Sequence, residues 1–246
     1  MLFIDDQDRF ASLLIMNGSS EVQEVTIEFP FGYPLTTDMG EIEMVYDDSV
    51  TANRHGISDR IRAFPRNFTL QPNQRQIVRL TIAPGNFEPG TYWSRIKTTS
   101  SPQSPPIGET GNDQVTTQIT YNFEQITTVF YKKGNVTTGL NLMDISAGQN
   151  EDFIWVKTDL ERTGNSPFLG SAYLTVIDDN GNEVLSRRTS VSIYFDYTQA
   201  FKIRPTELPA GEYQAEIRFV SQRSDIPDTE IVETEPVSQS ITFTVR

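Results

Sequence analysis

Few side chains in this 246-residue sequence are suited to covalent or acid–base chemistry. There is one histidine, His55, and there is no cysteine. A Ser-His-Asp arrangement or a histidine-rich metal site therefore has a single possible anchor, and thiol catalysis, disulfides and cysteine-bound metals are excluded. His55 lies in the polar stretch "ANRHGISD" and reads as a surface or turn residue. "DDNGNE", from Asp178 to Glu183, is rich in oxygen ligands, but it lacks the distant bidentate Glu of a calcium loop, whereas its Asn-Gly marks a hairpin turn. "GETGND" has no Lys-Ser/Thr after its glycines and is not a phosphate loop. The carboxylates of Asp47-Asp48 and Asp178-Asp179 are sequence neighbours, and on a strand neighbours point to opposite faces. No catalytic set, metal site or cofactor site can be assembled from these residues, so the chain is not expected to be an enzyme.

The remaining chemistry is that of surfaces. With 20 Lys and Arg against 33 Asp and Glu, the formal charge is −13. Nucleic acid and anionic membranes reward clustered cations and are poor partners for such a chain. No run of about 18 apolar residues is present, so no membrane insertion is expected. One local feature opposes the global acidity. Arg60, Arg62, Arg66, Arg75, Arg79, Arg95 and Lys97 all fall late in the first half. If their strands are neighbours, they form a basic face that receives a carboxylate or an acidic segment; otherwise they are solvent-facing and paired with Glu and Asp.

The elements that position these residues are short strands separated by turn signals every 8–12 residues or so, the grammar of β-sandwiches. In "EVQEVTIEF", Val25, Ile27 and Phe29 share one face; in "QRQIVRLTIAPG", Val78, Leu80 and Ile82 do. "FASLLIM" is an apolar run closed by Asn17 and Gly18. Residues 101–113 read as a long hairpin connection rich in Pro, Gly and Ser. After "YKKGNVTTG" the strand grammar restarts, which predicts a domain over 1–133 and a second over 134–246. "FEPGTYW" and "LPAGEYQ" place Pro, Gly and an aromatic-led strand once in each. The stretch "QVTTQITYNF" puts Val115, Thr117, Ile119, Tyr121 and Phe123 on one face of an extended chain and neutral polar residues on the other.

"RAFPRNFTLQPNQRQIVRLTI" carries a resemblance. Pro65, Arg66, Phe68, Leu70, Pro72, Gln76, Val78, Arg79 and Leu80 resemble the first domain of PapD-like periplasmic pilus-assembly chaperones. "LLIMNGSSEVQEVTIE" and "TTVFYKK" match further strands of that domain in the same order, so the resemblance covers roughly residues 3 to 133. It implies an all-β chain of two immunoglobulin-like β-sandwich domains in tandem, arranged as a PapD-like boomerang. It implies a periplasmic chaperone, with a signal peptide expected ahead of Met1. Its partners would be pilin-like subunits and an outer-membrane usher. The chaperone binds and stabilises subunits by lending them a β-strand, so that main-chain bonds give affinity and alternate apolar side chains fill the subunit's groove. Aligned on "VFYK", the lent strand carries Val115, Thr117, Ile119, Tyr121 and Phe123. Each large apolar side chain so buried contributes on the order of 1.5–3 kcal/mol. An edge of this kind also invites self-association.

The sequence departs from the family at the carboxylate anchor. One anchoring cation would lie before the matched region. The other falls on neutral Thr128, and an acidic residue of the interdomain contact falls on Gly90, while its basic partner survives as Lys132, the expected cleft cation. The alternative reading is a tandem immunoglobulin-like structural or adhesive surface protein without chaperone activity.

Overall fold

The computed structural model describes residues 1–103 and 121–246. In chain order the first ten strands are β1 (Leu2–Asp5), β2 (Phe10–Met16), β3 (Gln23–Glu28), β4 (Tyr33–Thr36), β5 (Ile42–Val45), β6 (Ile61–Phe64), β7 (Asn67–Leu70), β8 (Arg75–Ile82), β9 (Gly90–Pro102) and β10 (Phe123–Lys133), with one short helix, α1 (Ser49–His55), between β5 and β6. Seven more follow: β11 (Thr138–Gln149), β12 (Ile154–Gly164), β13 (Phe168–Asp178), β14 (Glu183–Ile193), β15 (Asp196–Ile203), β16 (Gly211–Val220) and β17 (Val237–Val245). Among the described residues no helix is long and apolar enough to cross a membrane. The chain is all-β and forms two immunoglobulin-like sandwiches, each with its own core.

In the first compact unit a five-stranded sheet, β1-β10-β9-β3-β7, packs on a three-stranded sheet, β2-β8-β6. The alternation that marks Val25, Ile27, Val78, Leu80 and Ile82 as inward is realised: all five are buried. Ile4 of β1, Ile96 of β9 and Val129 and Tyr131 of β10 meet Ile61, Val78 and Leu80 across the sandwich. The run "FASLLIM" is a half-buried strand. Ala11, Leu13 and Ile15 pack on the core, whereas Phe10, Leu14 and Met16 are exposed.

Asn17 closes β2 for a physical reason. The side chain is 5% exposed, and its Nδ2 donates to the carbonyls of Glu21 (2.7 Å), Leu70 (3.1 Å) and Gln71 (3.2 Å). Its Oδ1 accepts from Ser19 N (2.9 Å) and Ser19 Oγ (2.8 Å). One amide thus satisfies carbonyls at the ends of two strands, a task no apolar side chain performs.

The second unit packs β14-β13-β16-β17 on β11-β12-β15. The turn "DDNGN" joins β13 to β14 as its Asn-Gly predicts: Asp178 accepts from the backbone of Asn180 and Asn182, and Gly181 takes φ +82°. The first compact unit comprises residues 1–32, 47–87 and 92–133; the second comprises 33–46, 88–91 and 134–246. Lys133 ends the last segment of the first unit, and both the hairpin β4–β5 and residues 88–91 belong to the second. Thr198 N donates to Thr36 Oγ1 (2.7 Å), Lys157 Nζ to the Asp38 carbonyl (2.8 Å), and Lys202 pairs with Glu41 (3.0 Å). Gly40, at φ +72°, lies so close that a Cβ would stand 2.9 Å from Ala200. This hairpin is not signalled by the sequence pattern, because its strands are four residues each and pair across a turn without a two-residue Asn-Gly signature.

Substituting Asn17→Ala removes the donor to the buried Leu70 carbonyl and to the part-buried carbonyls of Glu21 and Gln71. The expected loss is about 2–3 kcal/mol of stability, read as a lower urea midpoint at unchanged slope.

Candidate functional site

The sequence places the surface chemistry on Val115–Phe123, ahead of "VFYK"; β10 begins at Phe123 and runs on through "VFYK" to Lys133. Its lower half is exposed and its upper half is buried: Phe123, Glu124, Gln125 and Ile126 are exposed, whereas Thr128, Val129, Phe130 and Tyr131 are buried. On one side β10 neighbours β9; on the other it meets β1 in parallel. β1 is only four residues long, and its register covers Val129 to Lys132 alone, with Leu2↔Val129 and Asp5↔Lys132. Among the described residues, Phe123–Thr128 has no strand on that side. Among the described residues, a row of backbone N–H and C=O groups there has no strand partner on that side.

Val115, Thr117 and Ile119 lie outside the described residues. Tyr121 precedes β10 and is 75% exposed; Phe123 opens it and is 67% exposed. Both line a groove of about 440 Å³ at one end of the sandwich, with Ile15, Val25 and Leu70 among its apolar walls and Asn17, Thr98 and Ser100 among its polar ones. Ile126, on the opposite face of β10, adds a third exposed apolar side chain that the alternation of "QVTTQITYNF" does not single out.

The short β1 is clamped in place. Phe3 stacks on Phe130 with ring centroids 5.4 Å apart, and the expected cleft cation, Lys132, holds its ammonium 5.2 Å from the Phe3 ring centroid. Beyond β1, Asp6 Oδ2 accepts from Lys133 Nζ and Asp6 Oδ1 from the Tyr131 hydroxyl (2.9 Å). The hydrogen bond from Lys133, then that from Tyr131, hold the Asp6 carboxyl below its ordinary pKa. Burial, then the bond to Asp6, push the Tyr131 phenol up to about 12.

No protein-family model matches the chain, and no curated protein sequence matches it. Among solved structures it is similar to the CupB2 chaperone of Pseudomonas aeruginosa, at 10% identity over 100% of this chain and 97% of that one, with a TM-score of 0.45. It is similar to the E. coli chaperone DraB at 12% identity, covering 100% and 94%, with a TM-score of 0.44. A chain of the Salmonella enterica SafA pilin complex with the SafB chaperone is similar at 11% identity, covering 98% and 92%, with a TM-score of 0.47. The chain is similar to pilus chaperones over its whole length. At these identities a function rests on the residues of this chain.

Two of those residues concern the anchor position. Thr128 is 2% exposed, and its hydroxyl accepts from Arg95 Nη1 on the neighbouring β9. Arg95 Nε also donates to the Gly32 carbonyl (3.0 Å). A guanidinium therefore stands beside Thr128, supplied from the next strand, which single-strand alignment could not reveal. The other basic residues do not form one face. Arg66 Nε donates to the Ile27 carbonyl (3.0 Å), Arg60 pairs with Asp59 (3.3 Å), and Lys97 pairs with Glu124 (2.8 Å) and Glu28 (3.8 Å). Arg62, Arg75 and Arg79 remain on the outward face of β6 and β8. His55, expected as a surface or turn residue, ends α1 and stacks on Trp93 at 5.1 Å, because the helix delivers its ring to that indole.

The Asp6 cluster gives a signed pH dependence. With a folded pKa below the unfolded one, Asp6 stabilises the clamp above about pH 4, and that contribution is lost as pH falls through the lowered folded value. The Tyr131 phenol has the opposite sign: its contribution is complete below about pH 10 and is lost as pH rises through about 12. Thermal midpoints measured against pH are expected to fall on both limbs, with Asp6→Asn flattening the acid limb and Tyr131→Phe the alkaline one.

Proposed function

We propose that this chain is a periplasmic chaperone that captures pilus or surface-fibre subunits and stabilises them by lending the strand that runs through Ile119, Tyr121 and Phe123. The observation that carries the reading is the open edge of β10 from Phe123 to Thr128, with Tyr121, Phe123 and Ile126 exposed beside it. A subunit short of one strand pairs its backbone with such an edge, and its empty groove takes alternate apolar side chains. Capture of this kind requires desolvation of apolar surface and main-chain hydrogen bonds, with no catalytic group and no nucleotide. The motif likeness of residues 3 to 133 supports the same reading. An outer-membrane usher as a second partner, and pairing of the open edge with another copy, follow from the same proposal.

One observation favours the alternative of a tandem immunoglobulin-like surface protein. The position at which the family resemblance expects an anchoring cation is Thr128, buried and engaged by Arg95. In the chaperone reading the Arg95 guanidinium supplies the positive charge there.

Co-expression with the products of neighbouring genes in a periplasm separates the two. The Tyr121→Asp, Phe123→Asp double variant is expected to stay folded, since both side chains are exposed, and to lose subunit capture by roughly a hundredfold or more. Retention of the same partners at the same yield by a folded double variant would exclude strand lending.

A further inference from the structure

The groove beside Tyr121 and Phe123 owes its depth to short side chains. On β9, Ile96 is fully buried in the core of the first unit. Thr98 and Ser100 follow on the same face at period two, half-buried and too short to fill the same depth. Past Ile96 the packing between the sheets therefore gives way to a groove of about 440 Å³, a volume typical of sites that take a ligand group. Its floor is apolar: Val25 and Leu70 are buried, and Ile15 is half-buried beside them. Its mouth is exposed, with Tyr121, Phe123 and Gln125 along the β10 side.

The groove and the β10 edge share one face. Phe123 and Gln125 alternate in step with Val129 and Tyr131, which belong to the core of the first unit. A strand paired with Phe123–Thr128 points alternate side chains to the same face as the β10 residues they oppose. Those side chains arrive at the groove mouth, beside Phe123 and Gln125. The floor of Ile15, Val25 and Leu70 offers them no charged partner and rewards apolar atoms.

We infer, on the strand-lending reading, that this groove selects among strands. It takes a large apolar side chain of the captured strand, at the position that faces Phe123 and Gln125, and Thr98 and Ser100 set the depth available to it. A charged side chain at that position loses its water without gaining a partner, so strands that carry one there are rejected. Selection in this form is separate from what β10 lends: it depends on β9, and on the partner's side chains entering the first unit.

The chain has no cysteine, so Ser100→Cys places a single thiol of nearly the original size in the groove wall. Its alkylation by N-ethylmaleimide is followed by peptide mass spectrometry, in the dilute free chain and in the complex purified after co-expression with the products of neighbouring genes. The free chain is expected to react roughly tenfold faster than the complex, or more. Ser100→Leu fills the groove from its own side. The thermal midpoint of the free variant is expected to hold or rise, whereas its yield of captured subunit falls about tenfold or more. Thr98→Val keeps the shape, removes the hydroxyl and is expected to leave capture unchanged. Equal alkylation in free chain and complex, full capture by a folded Ser100→Leu chain, or loss of capture in Thr98→Val overturns the inference. The alkylation comparison does not depend on the fold of the Leu variant. Strand lending survives such a result if the Tyr121→Asp, Phe123→Asp double variant still loses capture in the same assay. Full capture by that double variant removes strand lending and the inference together.

Discussion

The length of β1 sets what this protein can do. A parallel strand of four residues covers the upper part of an eleven-residue β10 and leaves the rest of that edge without a partner among the described residues. Sheet edges are ordinarily shortened, charged or covered, since an open one templates pairing with other chains. Here no described strand covers that part of the edge, which lies beside exposed aromatic side chains, and the covered part is fastened by stacking of Phe3 on Phe130 and by the Asp6–Lys133–Tyr131 cluster. Fastening one half of the edge holds β10 extended, so the open half is presented in strand geometry at little entropic cost.

The core was legible in the sequence wherever one strand contains its own evidence. Period-two alternation marked Val25, Ile27, Val78, Leu80 and Ile82, and Asn-Gly marked the β13–β14 turn. What could not be seen required partners distant in sequence. The hairpin β4–β5 belongs to the second unit through Thr198, Lys202 and Ala200, residues about 160 positions away, and nothing local to "YPLTTDMGEIEMV" announces that destination. "FASLLIM" is apolar at nearly every position, so alternation gave no hint that Phe10, Leu14 and Met16 face solvent.

The candidate site divides in the same way. Tyr121 and Phe123 were reached through a motif and a spacing. Ile126 was not, because it lies on the other face of the strand. Thr128 looked like a lost cation in the linear sequence. The neighbouring strand places Arg95 there, and its guanidinium contacts both Thr128 and Gly32. A linear comparison of motifs records residue types at positions; it does not record which side chain from the adjacent strand fills the same space.

Hydrogen exchange along β10 tests the central claim most directly. Alternate amides of Phe123–Thr128 point away from β9, towards the side that β1 leaves open. They are expected to exchange rapidly in the free chain, far faster than those of Val129–Lys132, and to become protected when a fibre subunit is bound. Full protection of these amides in the free monomer, or no change on subunit binding, would contradict the account.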